Sequence, residues 1–329
     1  MHFIPVYPDA PPLTGPASPT TLACVCRRWR QIAFAIPALW RAIRFRDGIP
    51  YERARHMSET WIKRSGAFLL SISVDIDDPG MSGILTTPLS TAMATARWEH
   101  LRIRGTPSSL PKTGSQLPMF HSLELVLTAF SGDVRTFYDA PQLRTVLLQG
   151  SIVSKVTLPW IQLTCMTLKY VWVTECVRVL AQTPNLIRCT VIIDGGPEPD
   201  AAVRVDLGLP FLESLVLKNN TGIWSASLTP AAAGGFLGSL TTPSLRRLDA
   251  EDKFLGPHPI AQLESLVSKS GSTLQDVCIR GTFSASVGNR YRQAFPSIPT
   301  FSFPDAYEET TDEDEFEREY EWDSLYDGE

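Results

Sequence analysis

Five histidines, His2, His56, His100, His121 and His258, and six cysteines, at 24, 26, 165, 176, 189 and 278, are the side chains of this 329-residue chain best suited to hold a metal or act as a nucleophile. The histidines fall in no metal-ligand spacing. Cys24 and Cys26 are one residue apart and diverge on a helix, and no second cysteine pair stands near enough to complete a zinc site. Both read as packing residues. Gly234-Gly235 lacks the lysine and the strand-to-helix setting of a phosphate cradle. No Gly-x-Ser-x-Gly elbow, phosphate loop or dinucleotide fingerprint occurs. The inventory points away from catalysis, and no cofactor is expected.

What remains is recognition, and the most legible stretch for it is residues 22–40. Leu22, Val25, Cys26, Trp29, Ile32, Ala33 and Ile36 recur every three or four residues, which predicts one stripe of a continuous helix. Arg27, Arg28, Arg30 and Gln31 take the opposite face. Ser18 is placed to cap this helix and Pro19 to open it, since proline has no amide hydrogen to leave unpaired. Pro37 stops or bends it, and Leu39 and Trp40 form a second apolar anchor. Such a stripe can equally be plain core packing.

Val25-Cys26-Arg27-Arg28-Trp29-Arg30-Gln31-Ile32-Ala33, followed by Pro37-Ala38-Leu39-Trp40, resembles the second half of an F-box of the kind abundant in mushroom-forming fungi. The Leu-Pro helix that normally opens that motif has no counterpart upstream of Ser18 in this sequence. The resemblance implies binding to the adaptor of an SCF-type cullin-RING ubiquitin ligase through Leu22, Val25, Cys26, Trp29, Ile32, Leu39 and Trp40. The rest of the chain would then choose a protein substrate. The alternative is a non-catalytic leucine-rich-repeat interaction protein that joins no ligase because its F-box is incomplete.

A chain of this length exceeds one ordinary core, so two domains or a repeat array is expected. Hydrophobic residues make up 43%. No apolar run reaches the roughly 18 residues of a membrane span, and no signal peptide is legible at the N-terminus. The expectation is a soluble cytoplasmic or nuclear protein with reduced thiols. Net charge is −5, but residues 305–329 hold thirteen acids against one arginine, while residues 10–46 hold six arginines and no acid. The basic stretch reads as a solvated helix face, with no nucleic-acid motif beside it. The acidic tail self-repels and is expected to be disordered, although Phe316, Tyr320, Trp322, Leu325 and Tyr326 could make it a docking segment.

The expected fold class is α/β. Residues 1–17 are a proline-rich, disordered segment, 18–48 the partial F-box-like helices, 49–304 an irregular leucine-rich-repeat solenoid with a parallel sheet, and 305–329 the acidic tail. The repeats emerge from comparing the chain with itself. Residues 65–74 align without a gap on residues 270–279, sharing Leu-x-x-Φ-x-Φ, where Φ is apolar. The same spacing starts at Leu69, Trp98, Phe120, Leu143, Leu163, Leu186, Leu212, Leu245 and Leu274, nine copies at the period of leucine-rich repeats. One such strand cannot bury its own apolar face, whereas a stack can. Nine residues along each copy, small polar residues such as Asp194 and Asn220 suggest hydrogen bonds to the neighbouring turn. Helices are expected over 51–64, 174–182 and 259–269, and loops at 195–199 and 231–235.

Residues alternating with the buried ones line the other face of the curved sheet. Arg102, Arg104, Val126, Leu147, Lys169, Ile192, Val216 and Lys218 on that face are the expected substrate contacts. They form an apolar centre flanked by charge, the composition of a protein-binding surface.

Overall fold

The computed structural model describes residues 10–45, 49–76, 97–105, 117–127, 135–137, 139–194, 206–220, 230–281 and 285–304. Its centre is one sheet of eleven strands whose order in space is their order in the chain. They are β1 Ala42–Phe45, β2 Leu70–Ile76, β3 Trp98–Gly105, β4 Ser122–Leu127, β5 Thr145–Gln149, β6 Cys165–Val171, β7 Arg188–Ile193, β8 Ser214–Asn219, β9 Arg247–Glu251, β10 Asp276–Arg280 and β11 Thr300–Ser302. Every neighbouring pair is parallel. Each strand must therefore be followed by a return to the same end of the sheet. A sequential, all-parallel sheet of this kind is consistent with a leucine-rich-repeat-like stack.

The nine copies of Leu-x-x-Φ-x-Φ all end in strands of this sheet. Their paired Φ positions, from Ile72 and Val74 through Leu123 and Leu125 to Val277 and Ile279, are buried in register with one another. The anchor of the first copy is Leu70 rather than Leu69, because the β2–β3 register slips by one residue there and sets Leu70 opposite Trp98. Two more copies exist. Trp40, Ile43 and Phe45 form one at the first edge, and Ile298, Phe301 and Phe303 form another at the last. Tyr291 of helix Ala285–Ala294 covers the second, with ring centroids 6.0 Å from Phe301 and 5.6 Å from Phe303.

The first edge is closed by α1 Pro19–Val25, α2 Arg27–Ala35, a 3-10 turn Pro37–Trp40 and α3 Tyr51–Arg64. The expected continuous helix is two helices, broken at Cys26, whose backbone is extended (φ −159°, ψ 174°). Side chains from the following elements satisfy carbonyls freed at both helix ends. Arg30 Nε donates to the Ala23 carbonyl at 2.8 Å, and Trp40 Nε1 donates to the Ala33 carbonyl at 2.9 Å. Ser18 caps α1 as expected, accepting from the Thr20 N–H at 3.2 Å. Trp40 also meets Trp61 of α3 edge to face at 5.4 Å. The Arg64 guanidinium lies 4.0 Å from the Phe34 ring centroid and 4.7 Å from that of Trp40. Burial there pushes Arg64 below its ordinary pKa.

Residues 10–17 were expected to be disordered, yet Leu13 is fully buried and Pro12 bridges Arg44 in parallel beyond β1. The Arg44 N–H donates to the Pro11 carbonyl at 3.1 Å. Prolines suit such an outer edge because no further strand needs their missing N–H groups. The boundary expected at residues 48/49 falls between β1 and its partner β2, and one apolar core runs across it.

Helix 51–64 falls as expected, with Ala54 and Trp61 buried. The expected helices at 174–182 and 259–269 are Val173–Leu180 and Pro259–Ser270. The loop expected at 231–235 lies inside helix Pro230–Ser239, where Phe236 and Leu237 are fully buried; this packing overrides the weak helix propensity of its glycines. The loop at 195–199 and the tail at 305–329 lie outside the described residues. No described helix is long and apolar enough to cross a membrane. Trp40→Ala should lower unfolding stability by about 3–5 kcal/mol, because a buried aromatic leaves a cavity and takes with it one hydrogen bond to the Ala33 carbonyl. Urea denaturation checks this, with Trp29→Ala, exposed, expected to change stability by no more than about 0.5 kcal/mol.

Candidate protein-binding surfaces

Parallel registration places the outward residues of adjacent strands side by side, so the open sheet face consists of rows. One row runs Arg44, Ser73, Arg102, Glu124, Leu147, Thr167, Thr190, Val216, Asp249, Cys278 and Ser302. A neighbouring row carries Asp75, Arg104, Val126, Gln149, Lys169, Ile192 and Lys218. All eight expected substrate residues are brought to this one face, each half-buried. Val126, Leu147, Ile192 and Val216 sit in its central strands, as expected.

The flanking charges differ from the expectation in one respect, because they are already neutralised. Arg44 pairs with Asp75 at 2.9 Å. Arg102 and Arg104 both lie against the buried Glu124, at 3.0 and 3.2 Å. At the other end Arg280 grips Asp249 with two hydrogen bonds, at 2.8 and 2.9 Å, and Arg247 faces Asp276 at 3.2 Å. A partner would have to break the Glu124 cluster to take Arg102, and breaking a buried ion pair is costly. These arginines therefore serve the sheet first. In the middle of the face one row is uncharged, from Leu147 to Val216, and the next carries Lys169 and Lys218 on either side of Ile192.

Glu251, at the end of β9, accepts the Asn219 N–H at 2.8 Å. Burial pushes its carboxyl above the usual range, opposed by that hydrogen bond and by Lys253. At two of the described ninth repeat positions a backbone hydrogen bond links to the neighbouring strand. The Asp194 N–H donates to the Val171 carbonyl at 2.9 Å, and the Asn220 N–H to that of Ile193 at 2.8 Å. Tyr170, with φ 55°, is an extra residue that shifts the β6–β7 register, a bulge at the rim of the open face.

The helix pair divides the expected adaptor residues into two groups. Val25, Trp29 and Ile32 are 63%, 44% and 46% exposed, Cys26 is exposed at the break, and Leu22 is half-buried. Leu39 and Trp40 are 5% and 0% exposed, so they belong to this chain's own core and cannot touch a partner. The reason is that Trp40 is the first anchor of the sheet. In exchange the structure adds Phe34 and Ile36, both exposed. The residue α2 buries is the small one, Ala33. A reading based on periodicity alone places the large residues inside, which is why Phe34 was overlooked. Ile161, Ile187 and Phe211 were also missed; they are exposed in the turns leading into β6, β7 and β8, next to repeat anchors.

All six cysteines are free thiols. Burial pushes Cys189 up to about 12, and Cys176 well above its ordinary value. Neither is placed to act as a nucleophile.

Because folding raises the Glu251 pKa, its contribution to stability is fully present below the unfolded carboxyl pKa and lost as pH rises through the folded one. Glu251→Gln keeps an acceptor for Asn219 and removes the buried charge. The variant should melt above the parent at neutral pH, with the gap closing as pH falls toward 4. A melting series across that range checks the sign. Compared with protein-family models and with curated proteins, the sequence matches none.

Proposed function

We propose that this chain is the substrate receptor of an SCF-type ubiquitin ligase, with an F-box-like helix pair that holds the adaptor and a leucine-rich-repeat solenoid that holds a protein substrate. It performs no catalysis of its own. The observation that carries the reading is the outward apolar face of α1 and α2. A helix that buries Ala33 and exposes Trp29, Ile32 and Phe34 is built for a partner rather than for its own core. The motif order Cys26-Arg27-Arg28-Trp29 supports the adaptor as that partner. Adaptor contacts are then Val25, Trp29, Ile32, Phe34 and Ile36, with Cys26 and Leu22 at the margin.

The open sheet face supports the second half of the reading. Its central strands, where Leu147, Ile192 and Val216 lie beside Lys169 and Lys218, suit an apolar segment of a substrate that carries acidic residues within it. Its neutralised ends confine binding to β4 through β8.

Trp29→Asp should abolish co-purification with the adaptor while leaving the urea midpoint within about 0.5 kcal/mol of the parent, because Trp29 contributes little to the core. Retained co-purification would remove the ligase from the reading and leave a repeat protein that binds partners through its sheet.

A further inference from the structure

The arginines at the two ends of the sheet face are matched by carboxylates, whereas four cations on and beside the helix pair are not. Arg27, Arg28, Arg30 and Lys63 are all exposed, and none has an acidic partner among the described residues. Two acids of the neighbouring α3, Glu52 and Glu59, are engaged by Arg55 at 3.1 and 3.6 Å. The arginines lie across α2 from exposed Trp29 and Ile32, and Val25, Phe34 and Ile36 are exposed on the same helix pair. Such a surface fits a segment that carries carboxylates and aromatic rings together, because each ring can cover apolar area or receive a guanidinium on its face while the carboxylates pair with the arginines.

The chain itself contains one segment of that composition. Residues 305–329 carry thirteen acids, one arginine and the aromatics Tyr307, Phe316, Tyr320, Trp322 and Tyr326. They continue from Pro304, just past β11 at the far edge of the sheet. Crossing the sheet's ten inter-strand spacings takes about 48 Å. Twenty-five extended residues span about 80 Å, and about fifteen of them are needed to cover that distance, so residues 319–329 are the part of the tail that reaches α1 and α2. Tethering also keeps it at an effective concentration on the order of millimolar, which favours it over a free peptide of the same composition.

We propose that residues 319–329 dock across α1 and α2 of their own chain, with carboxylates on Arg27, Arg28 and Arg30 on one side of α2 and the rings of Tyr320, Trp322 and Tyr326 over Trp29 and Ile32 on the other. The docking does not depend on what else binds that face. Its consequence rests on the ligase reading: tail and adaptor compete for one surface, so the tail sets the adaptor concentration at which the receptor is recruited.

Cys24 and Cys26 are native probes, both exposed on this face. The full-length chain is alkylated with iodoacetamide and the rate at each cysteine followed by peptide mass spectrometry, with half-buried Cys165 and Cys278 as internal references. The comparison is with a full-length variant carrying Glu319→Gln, Glu321→Gln, Asp323→Asn, Asp327→Asn and Glu329→Gln. At low salt the variant should react severalfold faster at Cys24 and Cys26 only, and 0.5 M salt should bring the parent up to the variant, since the Debye length falls below about 5 Å. Equal rates in parent and variant at low salt would overturn the proposal. So would protection that fades on dilution, which assigns the tail to a second copy. No adaptor is present in this assay. Protection seen together with no adaptor binding by either form would sustain the docking and sink the ligase reading instead.

Discussion

No strand of this sheet can bury its apolar side without the next. Each contributes an anchor and two inward residues, and only stacking in register turns these short triplets into a continuous core. Parallel pairing enforces that register, because a slip of one residue would turn every inward side chain outward. At the two places where the register does shift, at Leu70 and at Tyr170, one residue is absorbed and the inward rows resume. The returns can then vary in length and structure, from short 3-10 turns to helices such as Pro259–Ser270, without disturbing the sheet.

The same registration decides what the open face can offer. Residues with like positions in successive copies become neighbours about 4.8 Å apart, so charges must alternate in sign or be left out. Both solutions occur. Arg44 with Asp75, Arg102 and Arg104 with Glu124, and Asp249 with Arg280 alternate across the ends, and one row of the central strands carries only Leu147, Thr167, Thr190 and Val216. The ends act as a frame whose charges are spent on one another.

Much of the fold was legible because the anchor and its two Φ residues recur at fixed offsets that need no knowledge of the returns. Two copies escaped for different reasons. In the first, Trp40 has a dual identity, since Leu39-Trp40 also completes the helical motif and was assigned there. In the last, Ile298 is followed by Pro299, and proline argues against a strand until the position proves to be an edge. The site was less legible. Periodicity identifies a stripe of a helix but not which side of it faces the core, and the extended residue at Cys26 changes the phase between α1 and α2. Only Ala33 being buried reveals that the large residues of α2 point outward. Ion pairing on the sheet face was invisible for a related reason. Arg102 and Glu124 are far apart in sequence, and the register that joins them is a property of the stack.

Trp40 is where the two halves of the molecule meet. Its ring fills the first anchor position of the sheet and packs on Trp61, while its Nε1 holds the Ala33 carbonyl at the end of α2. The helix pair is thus fixed to the end of the sheet through a few contacts at its small-residue side. That arrangement explains how a large apolar surface can stay exposed without collapsing inward, since the space beneath α2 is already filled by Trp40, Trp61 and Leu39. Exposed apolar area forgoes about 25 cal/mol for each Å² it could bury, so a face that keeps Val25, Trp29, Ile32, Phe34 and Ile36 in solvent retains that energy for association. The surrounding arginines keep such a face soluble while it is free, and they restrict what can cover it to a surface of acidic character.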